Sequence, residues 1–293
     1  MSNERGLPPG SRMSIGQLSS LACLLEVTAP KPGNVHRGAD FDDVTYLDFA
    51  IGAQAIAPAV EAAARGGALG KSVYEAVAAT RSAVGTNTNL GTVLLLVPLA
   101  MSPQDVPLAD GVARVLRGLT PDDAYWVYEA IRLARPGGLG RVETADIMDA
   151  APADLISAMR QAAGRDIVAR QYAEDFATVL QQAAPWLAEG LARGWPLSVA
   201  IVQTHLRLMA ELPDTLVARK CGRETAQRAA DHATAALQAG QPGETTYDQA
   251  LAEFDFWLRS DGHRRNPGAT ADLIAAGLFV LLRDGIIQPP YKL

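Results

Sequence analysis

Asp40 and Asp42 stand two positions apart in the segment PKPGNVHRGADFDD (30–43), with Lys31, His36 and Arg37 close by. Two carboxylates that near repel unless a cation or a proton lies between them, so the pair suits either Mg2+ or open solvent. Mg2+ takes one or two carboxylates together with phosphate oxygens, and the basic neighbours would suit a polyphosphate. A solvated acidic turn satisfies the same spacing, because charge clusters are ordinarily surface features. Asp43 has a simpler explanation, as a cap for the helix that carries Tyr46, Phe49, Ala50, Ala53 and Ile56.

Three further segments mix glycine with polar side chains. In GTNTNLG (85–91), two glycines bracket Thr86, Asn87, Thr88 and Asn89 ahead of an apolar helix. The free N–H groups of that helix's first turn could hold a phosphate, and Thr88 or Asn89 acting as a plain N-cap would explain the pattern equally. In RRNPGATAD (264–272), Asn266 can cap, Pro267 fits the first helical position, and Asp272 sits in the early turns, where an acid complements the helix dipole. LPDTLVARKCGRE (212–224) adds the basic pair Arg219 and Lys220.

The elements that must position these loops are helices. Ile15, Leu18, Leu21 or Ala22, and Leu25 recur at three-and-four spacing, which predicts an amphipathic helix over 14–27. Ser72 with Glu75, Thr120 with Pro121 and Asp123, and Thr246 with Gln249 give helix starts; Gly66–Gly67, Gly240 and Gly262 give stops. Alanine-rich runs such as AIGAQAIAPAVEAAA favour helix and close packing, and would make a homodimer face easy to build. No linker, repeat or strand alternation intervenes. The expected fold is all-α: a compact single-domain helical bundle with its active site built from interhelical loops, a flexible tail at 1–13 and the domain at 14–293.

Composition narrows the partners. At 48% hydrophobic the chain can bury a sizeable core, and a net charge of −6 does not favour nucleic acid or an anionic membrane. Small-molecule substrates remain. Cys23 and Cys221 are far apart and fit neither a zinc site nor a disulfide scaffold, which suits a reducing cytoplasm. The N-terminal segment lacks an apolar stretch, and TVLLLVPLAM is too short to cross a bilayer, so a cytoplasmic protein without a membrane span is expected.

The ordered succession of EVTAPKPGNVHRGADFDD, GTNTNLGTVLLLVPLA, RDIVARQYAEDF, LPDTLVARKCG and NPGATADLIAAGLFVLL resembles the triphosphoribosyl-dephospho-CoA synthase family, from about Ile15 to Arg283. The resemblance implies an all-helical transferase that uses ATP as a substrate. In that reaction the 2'-hydroxyl of 3'-dephospho-CoA attacks C1' of the ATP ribose, adenine leaves, and the triphosphate stays on the transferred sugar. The product is the prosthetic-group precursor of citrate lyase or malonate decarboxylase carrier proteins. Breaking an N-glycosidic bond builds oxocarbenium character, which a carboxylate stabilises; the hydroxyl needs a base and the adenine a proton.

By resemblance, Lys31, Gly33 and His36 lie around the nucleotide, Asp40 and Asp42 bind Mg2+ or act as base, and Asn87 and Thr88 meet phosphate oxygens. Arg219 and Lys220 neutralise the triphosphate, and Glu26 and Asp272 are second candidates for the oxocarbenium side. Tyr46 and Phe49 are expected in the core, His205, His232 and His263 in structural or surface positions, and Asp166, Arg170 and Gln171 on a solvated face or in an internal salt bridge. The chain departs from the family pattern at Asn89 and Leu90, where a His-Lys pair is expected, and at 135–143. These departures leave the acceptor open. An all-helical Mg2+-dependent nucleotide or phosphate-ester hydrolase and a non-catalytic nucleotide-binding protein are the alternatives.

Overall fold

A helix that is apolar on every side has to be surrounded by other helices. Two such helices make the centre of this molecule. The computed structural model describes residues 13–137 and 147–292, in which the helices run α1 (Ile15–Thr28), α2 (Tyr46–Ala55), α3 (Ala57–Ala64), α4 (Leu69–Val84), α5 (Leu90–Met101), α6 (Leu108–Arg117) and α7 (Pro121–Ala134). They continue as α8 (Leu155–Ala162), α9 (Ile167–Ala173), α10 (Ala184–Ala192), α11 (Leu197–Glu211), α12 (Thr215–Cys221), α13 (Arg223–Gln238), α14 (Thr245–Arg259) and α15 (Gly268–Arg283). A π-helical turn, Val179–Ala183, precedes α10, and the only extended element among the described residues is the short Ser260–His263. The expected tail at 1–13 falls outside the described residues except for Met13, and the 135–143 stretch leaves them after Gly137.

The surrounded helices are α5, buried at Leu90 and from Thr92 to Ala100, and α15, buried from Leu273 to Leu282. α15 packs on α1, α5 and α10, while α4 pairs with α7 and α2 crosses α1 and α4. A second, smaller core joins α11, α13 and α14, where Ala229, Ala233 and Ala236 bring α13 close to Leu206 and Met209.

Local signals explain some boundaries and miss others. Ser14 with Gln17 and Thr120 with Asp123 form reciprocal capping boxes at α1 and α7. Ser72 instead lies buried inside α4, which starts at Leu69, and Thr246 turns back to donate to the Ala239 carbonyl rather than capping α14. Thr45, with Asp48, caps α2 in place of the expected Asp43. At α15 the expected cap Asn266 is taken by the Asn34 amide, and Asp214 from the head of α12 accepts from both the backbone N–H and the hydroxyl of Thr270. One carboxylate therefore ties the starts of α12 and α15 together.

One helical run, Tyr46–Ala64, is long and apolar enough by length and composition to cross a membrane, at a hydropathy of 1.2. It is the α2–α3 pair, broken at Ile56 ahead of Pro58, and it packs against α1, α4 and α5 as a wall of the bundle.

Candidate functional site

All four glycine-and-polar segments converge on one cavity of about 990 Å3. Asn34 and Asp43 come from the first, Asn87 and Thr88 from the second, Arg219 and Lys220 from the third, and Asn266 and Asp272 from the fourth. α1, α7, α8 and α9 complete the wall.

Its acidic end is built on the central helices. α1 presents Cys23 and Glu26, one turn apart, and α15 presents Asp272. The Thr92 hydroxyl at the start of α5 donates to Asp272 Oδ1 at 2.5 Å. Gly91 lets the carboxyl approach this closely, since a Cβ there would lie 2.0 Å from Asp272 Oδ2. Burial pushes Asp272 up to about 8 against the pull of the Thr92 hydrogen bond, and the charges of Glu26, Asp214 and Asp166 add to the rise. Burial, then Glu26 and Asp272, likewise drives the Cys23 thiol upward.

Glu26 has a different environment. Lys31, fully buried, places Nζ 2.9 Å from Glu26 Oε1 and also donates to the carbonyls of Glu26 and Ala29. Behind it lies His205, whose pKa is driven well below the usual imidazole value by burial and by the Lys31 charge. Glu26 thus carries a fixed cationic partner, whereas Asp272 has only a hydroxyl and other acids around it.

Basic side chains line the cavity as well. Arg219 pairs with Asp166 at 3.1 Å and donates to the Gly137 carbonyl, while Asp166 caps α9 through the N–H groups of Val168 and Ala169. Lys220 is lowered by partial burial and by the Arg219 charge. Arg81, Arg165 and Arg170 line the same space. The Asn87 side chain accepts from the N–H groups of Asn89 and Leu90, covering the first turn of α5. Thr88 Oγ1 is buried with no hydrogen-bond partner among the described residues. Asn89 turns inward to Thr80 and Gly52, so the position at which the family pattern expects a basic side chain holds α5 against its neighbours instead.

The opening loop contributes less to the cavity than its charge suggests. Lys31, Gly33, His36, Asp40 and Asp42 do not line it. Lys31 acts from behind through Glu26. Gly33, at φ 73°, donates to Asp255 and sits against Leu258, where a Cβ would come within 2.6 Å. The His36 ring accepts from the Gly38 N–H, and partial burial and the Arg259 charge lower its pKa. Asp40 accepts from the Tyr46 N–H at the start of α2, and Asp42 is exposed. Among the described residues no group of three His, Cys, Asp or Glu side chains could hold a metal ion. Of the two carboxylates expected as the metal and base centre, Asp40 serves as a helix-start acceptor and Asp42 faces solvent, and neither lines the cavity.

Sequence reasoning passed over several lining residues. Asp166 and Arg170 are expected on a solvated face or in an internal salt bridge; Asp166 does pair with Arg219, and both Asp166 and Arg170 also line the cavity, as does His263, paired with Asp43 at 2.9 Å. Phe49, expected in the core, is also part of the wall. Cys23 and Arg81 carried no local signal, because each sits in an ordinary helical pattern.

One large cavity in an all-helical shell, lined by both carboxyls and cationic side chains, is a site suited to a polyanionic small molecule. The chain belongs to the ATP:dephospho-CoA triphosphoribosyl transferase (CitG) family, whose model matches residues 12–288. A Pseudomonas fluorescens (strain Pf0-1) protein provisionally named 2-(5''-triphosphoribosyl)-3'-dephosphocoenzyme-A synthase is 33% identical over 115 residues. That match spans 39% of this chain and 39% of the relative's length. A crystal structure from Archaeoglobus fulgidus, provisionally named triphosphoribosyl-dephospho-CoA synthase, superposes with a TM-score of 0.61 at 26% identity, covering 80% of this chain and 98% of the other.

Proposed function

We propose that this chain moves the 5-triphosphoribosyl group of ATP to the 2'-hydroxyl of 3'-dephospho-CoA or a related acceptor, releasing adenine. The observation that carries this reading is one cavity lined both by the carboxyls of Glu26 and Asp272 and by a set of cationic side chains. Its volume of about 990 Å3 reaches the top of the range for small-molecule sites and leaves room for two substrates. Arg219, Lys220, Arg165 and Arg170 would draw the triphosphate to one side, which directs the ribose C1' toward Glu26 and Asp272 at the other. There the Glu26 carboxylate, oriented by Lys31, faces the developing oxocarbenium charge and takes the proton of the acceptor hydroxyl. The apolar wall of Ile131, Leu155, Ala158 and Met159 offers a surface for the acceptor's uncharged arm.

Triphosphates ordinarily travel as Mg2+ complexes. Mg2+ would enter on the phosphate oxygens and keep several of its own waters.

Incubation with ATP, with and without dephospho-CoA, followed by chromatography, tests the reading. Free adenine and a triphosphate-bearing product are expected. ADP or inorganic phosphate without adenine would refute it and put a hydrolase first.

A further inference from the structure

We propose that Asp272 is the general acid that protonates the departing adenine, while Glu26 accepts the proton of the attacking hydroxyl. The assignment deepens the transfer reading above and rests on it.

The two carboxyls share one end of one cavity and differ in what holds them. Glu26 has a buried ammonium 2.9 Å away, which fixes the orientation of its carboxyl. Asp272 has no cation against it. From α1 it faces Glu26 and Cys23, from α5 the Thr92 hydroxyl, from the head of α12 Asp214, and from the head of α9 Asp166. Every one of these titratable neighbours is acidic, so the neutral form of Asp272 is the one its surroundings accept. The bond from Thr92 occupies Oδ1, which leaves Oδ2 to carry the proton. A carboxyl whose surroundings favour its proton, set beside one held by an ammonium, is the usual structural mark of an acid and base pair.

The step balances without another reactant. The C1'–N9 bond breaks with its electron pair going to the purine, and the Asp272 proton moves to a ring nitrogen of that purine. The acceptor oxygen bonds to C1', and its proton passes to Glu26. Adenine leaves neutral. Return of the proton from Glu26 to Asp272 resets the pair.

Because burial holds Asp272 near 8, it is protonated below that pH and loses its proton above it. Adenine release by the wild type should therefore fall as pH rises through about 8. Asp272→Asn should lower the rate by about 10²-fold or more and remove that limb. An ATP analogue methylated at N7 leaves as neutral 7-methyladenine without taking a proton, so it should flatten the wild-type limb and restore most of the activity of Asp272→Asn. The wild-type comparison of the two nucleotides needs no variant and stands even if the substitution unfolds the chain. A limb that persists with the methylated analogue, or an Asp272→Asn enzyme as active as wild type on ATP, overturns this assignment alone. A wild type that releases no adenine overturns the transfer reading and this assignment with it.

Discussion

The loop from 30 to 43 and the cavity end formed by Cys23, Glu26 and Asp272 use their charges in opposite ways. In the loop, charges settle local structure: Asp40 takes the first N–H of α2, Asp43 pairs with His263, and Gly33 is pinned by Asp255. Arg259 also bonds the Asn34 carbonyl, closing the loop onto α14. At the cavity end the acids sit on long helices and have few partners, so burial and the neighbouring acids raise Asp272 and Cys23. A dense run of charge marks a place that water or local hydrogen bonds can satisfy, whereas an isolated acid on an apolar helix has to be satisfied by its site.

Variants can break this contrast. The largest effect is expected for Lys31→Met, which removes the cation from a buried pair and strands Glu26. Unfolding by urea should show a loss of about 3–5 kcal/mol, and the surviving enzyme should release little adenine. Wild-type stability in that variant would mean the loop and the cavity are not coupled through Lys31.

Gly91→Ala sharpens the contrast. The three nearest atoms to its new methyl all belong to the Asp272 carboxyl, so the acid is displaced while the helices have little reason to move. Adenine release should drop by about 10-fold or more with a melting temperature close to wild type. Unchanged kinetics would show that the position of Asp272 is immaterial.

The smallest effects belong to the loop itself. Asp40→Ala should cost about 1 kcal/mol through the lost bond at the head of α2, and Asp42→Asn less than about 0.5 kcal/mol. Neither should alter adenine release per folded molecule. A large kinetic loss in either would return the chemistry to the loop.

The fold was legible because the three-and-four periodicity of α1 reads as helix, and because the Thr120 start of α7 is a local device. The misplaced starts at Ser72, Thr246 and Asn266 share another cause. Each motif is valid in isolation and is overridden by where the surrounding chain starts the helix, most plainly at α15, where Asp214 reaches Thr270 across 56 residues of sequence. The site was half legible for the same reason. The four loops announced themselves through glycine and polar residues, but the division of labour among the carboxyls depends on burial. Asp40 and Asp42 look like a metal pair on paper and are satisfied near the surface. Cys23 and Arg81 gave no sign at all, since a helix periodicity shows which face is apolar and not that the face borders a void.

The close fit between Gly91 and Asp272 also has a bearing on how this chain can vary over time. Position 91 has no room for a side chain while an aspartate occupies 272, although the two lie far apart in sequence. A lineage that keeps the acid is therefore held to glycine at the first turn of α5, and one that abandons it is released from that restriction. Substitutions at the two places should travel together among descendants, so that the smallest residue in the site becomes a marker for whether its acid is still in use.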